Sequence, residues 1–250
     1  MKKLMFGLVA AAAAGAMAIE SANVVGYKTY ALDLDNPDDY IHNIGVQFQN
    51  VAAESYTITD TFFGVQLSQG DQFFVFDPEY FGYTLYEYAE ISTGTYGFMV
   101  TYADGSFGES VASLTVNKGD NILYTPLDPS VTPTVAGEVQ ASGTATLTFT
   151  LTDDDYIFPI TNPFPKATTL ADLTCLEEGD QIFVWDSVYF GYTLLEYAEI
   201  TSGVYGFMVT YADGSFGESI TDPTTVIFGE GQGGLYTPGG SRTWTVTYNY

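Results

Sequence analysis

The sequence predicts an all-β protein made of two homologous antiparallel domains of β-sandwich or barrel-like type, and three observations support this prediction. Residues 70–110 and 179–219 align without a gap and are identical at 33 of 41 positions. Both copies are rich in tyrosine and phenylalanine, which favour strands. Each copy also has an Asp-Gly pair between short β-forming runs, which indicates a hairpin. We therefore interpret the chain as an internal duplication of one β-rich unit.

The amino terminus shows the three parts of a secretory signal peptide. Lys2 and Lys3 form a basic start, an apolar run covers residues 4–17, and Ala16-Met17-Ala18 is a small-residue cleavage site. The run is too short to span a bilayer comfortably, and no later run of about 18 apolar residues follows it. We expect an exported protein, whether periplasmic, surface-bound or released, without a transmembrane helix.

The first elements of the unit occur in both halves. A run over residues 23–34 alternates only partly, which is typical of a partly exposed first strand. Residues 40–48 and 156–164 are similar in sequence and predict the second strand of each copy. In residues 57–63 and 168–173, a Thr or Asp suited to capping a helix predicts one or two helical turns.

The repeated segment predicts two strands and a tight hairpin in each copy. Residues 71–76 and 83–91 form the strands of the first copy. Asp104-Gly105 then lies between β-forming residues, which is the strongest short-range signal for a hairpin. A two-residue turn at this position would place Tyr102 opposite Phe107 as an aromatic cross-strand pair. The second copy repeats the pattern 109 residues later.

Each copy closes with further strands. Residues 121–124 and 235–236 are short β-forming runs followed by Thr-Pro, and residues 241–250 alternate strictly between two faces. The Gly-containing stretch 137–143 marks the boundary between the copies. The predicted organisation is a signal peptide (1–18), a first β-repeat domain (19–140) and a second β-repeat domain (141–250).

The net charge excludes one class of partner. Beyond residue 18, the chain has four Lys and Arg against 31 Asp and Glu, a formal charge of −27. Affinity for nucleic acid comes mainly from Lys and Arg at the phosphates, so we expect no nucleic-acid partner. The 20 Tyr and 18 Phe supply a core, which argues against disorder. With a single cysteine, an intrachain disulfide cannot form.

Several segments together resemble a group of known proteins. These segments are SANVVGY (21–27), YIHNIGVQF (40–48), GDQIFVWD (179–186) and GEGQGGLY (229–236). The chain resembles a large set of exported β-rich repeat proteins from bacteria of the Planctomycetes–Verrucomicrobia group. The resemblance implies export and a β-rich fold, and no activity comes with it.

The sequence does not predict a catalytic site. The only histidine, His42, aligns with Phe158, which favours a position beside the core over a general base. Glu87 and Glu90 lie three residues apart on a predicted strand and therefore point to opposite faces. This spacing argues against the paired carboxylates of a glycosidase. We expect a non-catalytic protein.

Tyrosines that recur in both copies are the candidate ligand-binding residues. A tyrosine ring has an apolar body and a polar tip, which suits stacking on a sugar or on a protein partner. The alternative is that the tyrosines cover the sheet faces, as they do in many β-rich proteins. The candidates are Tyr80, Tyr83, Tyr88, Tyr189, Tyr192 and Tyr197.

An acidic segment of the first copy is the candidate metal site. Its oxygen donors are of the type that Ca²⁺ binds, although their spacing differs from that of the EF-hand loop. A solvated acidic turn is the alternative. The candidate ligands are Asp33, Asp35, Asn36, Asp38 and Asp39.

These features favour an exported, acidic structural or interaction protein of the cell surface or extracellular space. The expected contacts are self-association or a surface glycan or protein. The alternative function is carbohydrate binding through a tyrosine-rich face. A weaker alternative is an outer-membrane β-barrel, which the alternating, aromatic carboxyl terminus suggests.

Overall fold

The structure describes part of the chain in thirteen segments. The computed structural model describes residues 24–30, 40–46, 55–58, 67–77, 79–80, 82–117, 119–139, 143–149, 156–162, 167–173, 176–186, 188–189 and 191–248. The expected signal peptide (1–18) and the candidate calcium ligands in 33–39 lie outside the described residues.

The described chain is all-β, as predicted, and its strands fall into two sets. The first set is β1 (Val24–Thr29), β2 (His42–Gly45), β3 (Ser55–Ile58), β4 (Gln72–Asp77), β5 (Gly82–Ser92), β6 (Thr95–Thr101), β7 (Leu114–Asn117), β8 (Asn121–Thr125) and β9 (Thr134–Val139). The second set is β10 (Gly143–Phe149), β11 (Phe158–Thr161), β12 (Thr168–Thr169), β13 (Gln181–Asp186), β14 (Gly191–Thr201), β15 (Val204–Thr210), β16 (Ile227–Phe228), β17 (Gly233–Thr237) and β18 (Arg242–Tyr248). One short helix, α1 (Leu170–Leu173), and a 3-10 turn, Pro223–Thr225, lie in the second half.

Both halves have the same strand order. Each contains a five-stranded antiparallel sheet, β2-β8-β4-β5-β6 in the first half and β11-β17-β13-β14-β15 in the second. Each half also has two two-stranded pairs, β1-β9 and β3-β7 in the first, and β10-β18 and β12-β16 in the second. Strand for strand, the second half follows the first. A duplication as the origin of this likeness stays an interpretation of the sequence.

The core of each half lies on one face of its five-stranded sheet, which we call the core face. In the first half, Phe73 stacks on Tyr124 with ring centroids 4.7 Å apart and meets Phe98 edge-on at 5.7 Å. The pair β3-β7 covers this face with residues that include Tyr56 and Val116. Burying an apolar side chain of this size contributes about 1.5–3 kcal/mol. Alternate residues of the same strands point to the opposite face, the outer face.

The hairpin after β6 forms, but its predicted register is wrong. The Gly105 N–H donates to the Tyr102 carbonyl, and the Tyr102 N–H donates to the Ser106 carbonyl at 2.9 Å. Gly105 is the last residue of a three-residue loop. Its φ is +82°, a backbone conformation that residues with a side chain rarely adopt. Phe107 consequently lies opposite Thr101, one residue away from the predicted partner.

The helical turns predicted near 57–63 and 168–173 have different outcomes. In the first copy, Thr57 belongs to β3, because Tyr56 and Ile58 are buried and pair with Val116 and Leu114 of β7; residues 59–63 lie outside the described residues. In the second copy, one helical turn forms, as α1, directly after β12.

A buried carboxylate in each half fastens the segment before β4 or β13 to the segment after β8 or β17. Asp71 accepts hydrogen bonds from the Ser68 N–H at 2.9 Å, the Tyr124 hydroxyl at 3.1 Å and the Leu127 N–H at 2.8 Å. Asp180 accepts the same set, from the Glu177 N–H, the Tyr236 hydroxyl and the Gly239 N–H. These bonds satisfy a charge that would otherwise be costly to bury.

The first testable prediction concerns this carboxylate. In Asp71→Asn the side chain keeps one acceptor oxygen, and its amide NH2 replaces the other. Either the Ser68 or the Leu127 N–H would then face this NH2 donor and lose its hydrogen bond. We expect the free energy of unfolding to fall by about 2 kcal/mol, and a similar loss in Asp180→Asn. Urea unfolding followed by circular dichroism measures this loss. The control is Asp104→Asn in the exposed turn, and equal midpoints for Asp71→Asn and Asp104→Asn would contradict the assigned role.

Candidate functional site

The structure distributes the six candidate tyrosines over three locations and does not gather them on one face. Tyr80 and Tyr189 lie on the turns that precede β5 and β14, and each stacks on another tyrosine. Tyr83 and Tyr192 meet each other between the two halves. Tyr88 and Tyr197 lie within β5 and β14, the third location.

The turn tyrosines form two matching stacked pairs. Tyr80 stacks on Tyr102 with centroids 4.6 Å apart and ring planes at 16°, and Tyr189 stacks on Tyr211 at 4.8 Å and 22°. The backbone comes close here because Gly82 has no side chain: a Cβ on it would lie 2.6 Å from the Cβ of Ala103. One ring face of each tyrosine is therefore covered by its partner.

Tyr83 and Tyr192 form the centre of the contact between the two halves. Their rings lie 6.1 Å apart at 9°, and their hydroxyls are hydrogen-bonded to each other. The Asn121 side-chain amide donates to the Tyr192 hydroxyl at 3.2 Å. Phe76 packs edge-on against Tyr83, and Trp185 packs edge-on against Tyr192. Burial raises the pKa of both phenols.

Hydrogen bonds around these tyrosines join matching positions across an approximate two-fold axis, although their donors differ. The Gly45 N–H donates to the Gly231 carbonyl at 2.8 Å. At the matching positions, the Thr161 hydroxyl donates a hydrogen bond to the Gly119 carbonyl at 3.3 Å. Equivalent residues of the two halves thus face each other, as in a self-complementary dimer interface.

The polar exchange between Asn43 and Gly233 is not reproduced at the equivalent positions. Asn43 donates through its amide to the Gly233 carbonyl at 3.3 Å and accepts from the Gly233 N–H at 3.1 Å. Its counterpart in β11 is Pro159, which has no side-chain amide. The contact is therefore symmetric in position and asymmetric in chemistry.

Tyr197 borders a surface depression of about 300 Å³ in the second half. It stacks on Tyr205 with centroids 6.0 Å apart, and Leu176, Glu177 and Glu178 complete the lining. The negative charge of Glu178, followed by that of Glu199, raises the pKa of the Tyr205 phenol. In the first half, Ser68 and Gln69 replace the two glutamates. The acidic lining is therefore specific to the second half.

His42 and Glu90, which were weighed for catalysis, and Glu199, the counterpart of Glu90, have structural contacts. His42 is buried and stacks on Tyr124 with centroids 5.7 Å apart. Glu90 accepts a hydrogen bond from the Gly94 N–H at 2.6 Å, and Glu199 accepts one from the Gly203 N–H. These carboxylates therefore hold the β5-β6 and β14-β15 turns.

The described part of the chain contains neither a cluster of metal ligands nor a membrane-spanning helix. Within it, no group of three or more His, Cys, Asp or Glu residues is placed to hold a metal ion. No helix among the described residues has the length and apolar composition needed to cross a membrane.

Two exposed phenylalanines are a feature that the sequence did not indicate. Phe107 and Phe216 are each 87% exposed. Phe107 lies beside Thr101 on the outer face, which also carries the exposed Met99 two residues along β6. The second half repeats this arrangement with Met208 and Phe216. The exposure follows from the turn register, and the register predicted from the sequence had instead placed Phe107 opposite Tyr102.

No protein-family model, curated protein or solved structure matches this chain. The resemblance to exported proteins of the Planctomycetes–Verrucomicrobia group therefore stays an expectation from the sequence. Function has to be inferred from the geometry of the chain itself.

The second testable prediction concerns the two buried phenols. Their folded-state pKa values lie above the ordinary value of 10.0, so the unfolded chain releases these protons at a lower pH than the folded chain does. The stability that these two phenols contribute is therefore complete below about pH 10 and is lost as the pH rises above it. In Tyr83→Phe/Tyr192→Phe we expect a shallower fall of the unfolding free energy between about pH 10 and 11.5.

Urea unfolding at a series of pH values measures this slope. The matched control is Tyr40→Phe/Tyr156→Phe, which removes two exposed phenols at equivalent positions and should leave the slope unchanged. The same slope in both double variants would show that the contact between the halves does not govern alkaline unfolding.

Proposed function

We propose that the protein is an exported, acidic structural or interaction protein of the cell surface or extracellular space and that it does not catalyse a reaction. The supporting observation is a pair of matching apolar patches, Met99 with Phe107 and Met208 with Phe216. Aromatic residues and methionine are enriched where proteins meet partners. Two equal patches on one chain suit bivalent attachment, which strengthens binding without any new kind of contact.

The hydrogen bonds of four carboxylates support a non-catalytic role. Asp71 and Asp180 use their carboxylate oxygens on backbone N–H groups and a tyrosine hydroxyl. Glu90 and Glu199 hold turns. A catalytic carboxylate instead has to reach a substrate from a cleft. These four groups are committed to the fold.

Charge supports a role away from nucleic acid and anionic membranes. A formal charge of −27 beyond residue 18 disfavours contact with phosphates and with anionic membranes. The same charge makes copies repel each other at low ionic strength. Attachment through the apolar patches is therefore expected to strengthen as salt screens the repulsion.

The third testable prediction concerns the patches. We expect Phe107→Ser/Phe216→Ser to release the protein from the cell surface or from its assemblies, and each single variant to weaken attachment less, because one patch remains. Fractionation of the producing cells, followed by sedimentation of the released protein, measures attachment. Thermal melting should be unchanged, because both rings are exposed.

The matched control is Leu127→Ser/Val188→Ser, which removes two other exposed apolar side chains. We expect this variant to fractionate as the unchanged protein does. If the unchanged protein and the phenylalanine variant are equally free in solution, the patches do not mediate attachment.

Carbohydrate binding is the second candidate function, and the stacked pairs on the turns favour it. Tyr189 is 37% exposed while it stacks on Tyr211, so it offers a supported ring to a sugar. The fourth prediction is that a glycan array binds the unchanged protein and that Tyr80→Ala/Tyr189→Ala loses the signal, while Phe107→Ser/Phe216→Ser retains it. Failure to retain any sugar at millimolar concentration rejects this function.

A further inference from the structure

Two pairs of equivalent residues beside Tyr83 and Tyr192 meet across the approximate two-fold axis. Asn121 of β8 faces Gly233 of β17, and Gly45 of β2 faces Thr161 of β11. Within each sheet the two residues are also neighbours, since Gly45 pairs with Asn121 and Thr161 pairs with Gly233. The four residues therefore form a small square, with one glycine and one larger residue on each sheet.

The larger residue of each sheet fills the space that the glycine of the other sheet leaves open. A Cβ on Gly233 would lie 2.1 Å from the Asn121 Oδ1 and 2.4 Å from its Cγ. A Cβ on Gly45 would lie 2.6 Å from the Thr161 Cγ2 and 2.9 Å from the Gly231 carbonyl oxygen. Neither glycine has a positive φ, so close approach between the sheets, and not backbone conformation, requires a glycine at these positions.

Each half thus has a projection and an opening at complementary places. The first half projects Asn121 and opens at Gly45, and the second half projects Thr161 and opens at Gly233. Two first halves would bring two Asn121 side chains into one space, and two second halves would do the same with Thr161. A symmetric pairing would also leave two facing openings, which forfeit contacts.

We propose that this square is a pairing code: the surface accepts a second half, of the same chain or of a second copy, and rejects a surface identical to itself. Asn121 carries most of the discrimination, because it is 1% exposed and a Cβ facing it would come within 2.1 Å, closer than the 2.6 Å at Thr161. Contacts between copies through this surface then run from first half to second half. Such contacts produce either a dimer, in which the first half of each copy pairs with the second half of the other, or an open-ended row of copies.

Moving the projection to the other sheet tests the code. Gly233→Asn places two asparagines at one point and should lower the thermal midpoint by several degrees. Asn121→Gly leaves two openings and should lower it less. The exchanged variant Asn121→Gly/Gly233→Asn restores one projection and one opening, so its midpoint should return close to that of the unchanged protein.

The exchanged variant is its own control, because it contains both damaging substitutions. Independent sites would add their effects, whereas contacting residues depart from additivity. An exchanged variant that melts as low as the sum of the two single losses overturns the code. Recovery supports it, and recovery does not depend on where the protein is located or on the phenylalanine patches.

A mixing experiment tests whether a second copy is accepted. One chain carries Gly45→Thr/Gly233→Asn and has only projections, and the other carries Asn121→Gly/Thr161→Gly and has only openings. Within either chain alone, the two halves fit poorly. Between the two chains, a projection meets an opening at each of the positions 45, 121, 161 and 233. Refolded together at about 0.5 M salt, which screens the charge, they should form a dimer of one chain each by light scattering.

Each chain refolded alone is the reference for this mixture. Monomeric chains alone and a mixed dimer together support pairing between copies. Monomers alone and in the mixture overturn the acceptance of a second copy. A dimer of the projection-only chain with itself overturns the rejection of an identical surface.

Discussion

The contact between the outer faces of the two five-stranded sheets is the constraint on which the rest of the structure depends. Each sheet already covers its core face with β3-β7 or with β12-β16. The outer face also carries large rings, and part of it is buried only because the other half lies against it. Tyr83 and Tyr192 connect these faces through their hydroxyls. A half alone would expose these rings to water, which is costly.

This contact has to overcome repulsion between two acidic halves. The charged groups that the described core buries, Asp71 and Asp180, are fully hydrogen-bonded within their own half. Across the contact, the hydrogen bonds in the described part of the chain come from phenols, amides, the Thr161 hydroxyl and backbone groups. Neutral groups can be brought together in a low-dielectric region without the penalty of buried charge.

The same geometry explains why two different surfaces of the chain suit two different tasks. Around the axis, close approach of the sheets requires glycines, and the fit discriminates between nearly identical halves. At the far edges, the outer face is uncovered and carries Phe107 and Phe216. The first region favours pairing of halves, and the second favours attachment to a partner. Because these two regions lie apart, substitutions in one region can occur without altering the other region.

The sequence by itself determined the all-β class, the positions of two strands in the repeated segment and the position of the Asp-Gly hairpin, because alternation, aromatic content and Asp-Gly pairs act over a few residues. It did not determine the turn register, which the positive φ of Gly105 sets together with the hydrogen bonds around it. Nor did it show that residues 55–58 form a strand, which depends on pairing with β7 far along the chain.

The candidate site shows the same division. Composition selected tyrosines as candidates, and the chain does carry aromatic pairs at those positions. Only the tertiary structure decided that Tyr83 and Tyr192 meet each other, that Asn121 faces Gly233 and that Phe107 stays exposed. The physical reason is that these features depend on residues far apart in the sequence, and only the packing of the sheets sets the distances between such residues. A local sequence pattern records only which residues favour a strand and to which face they point.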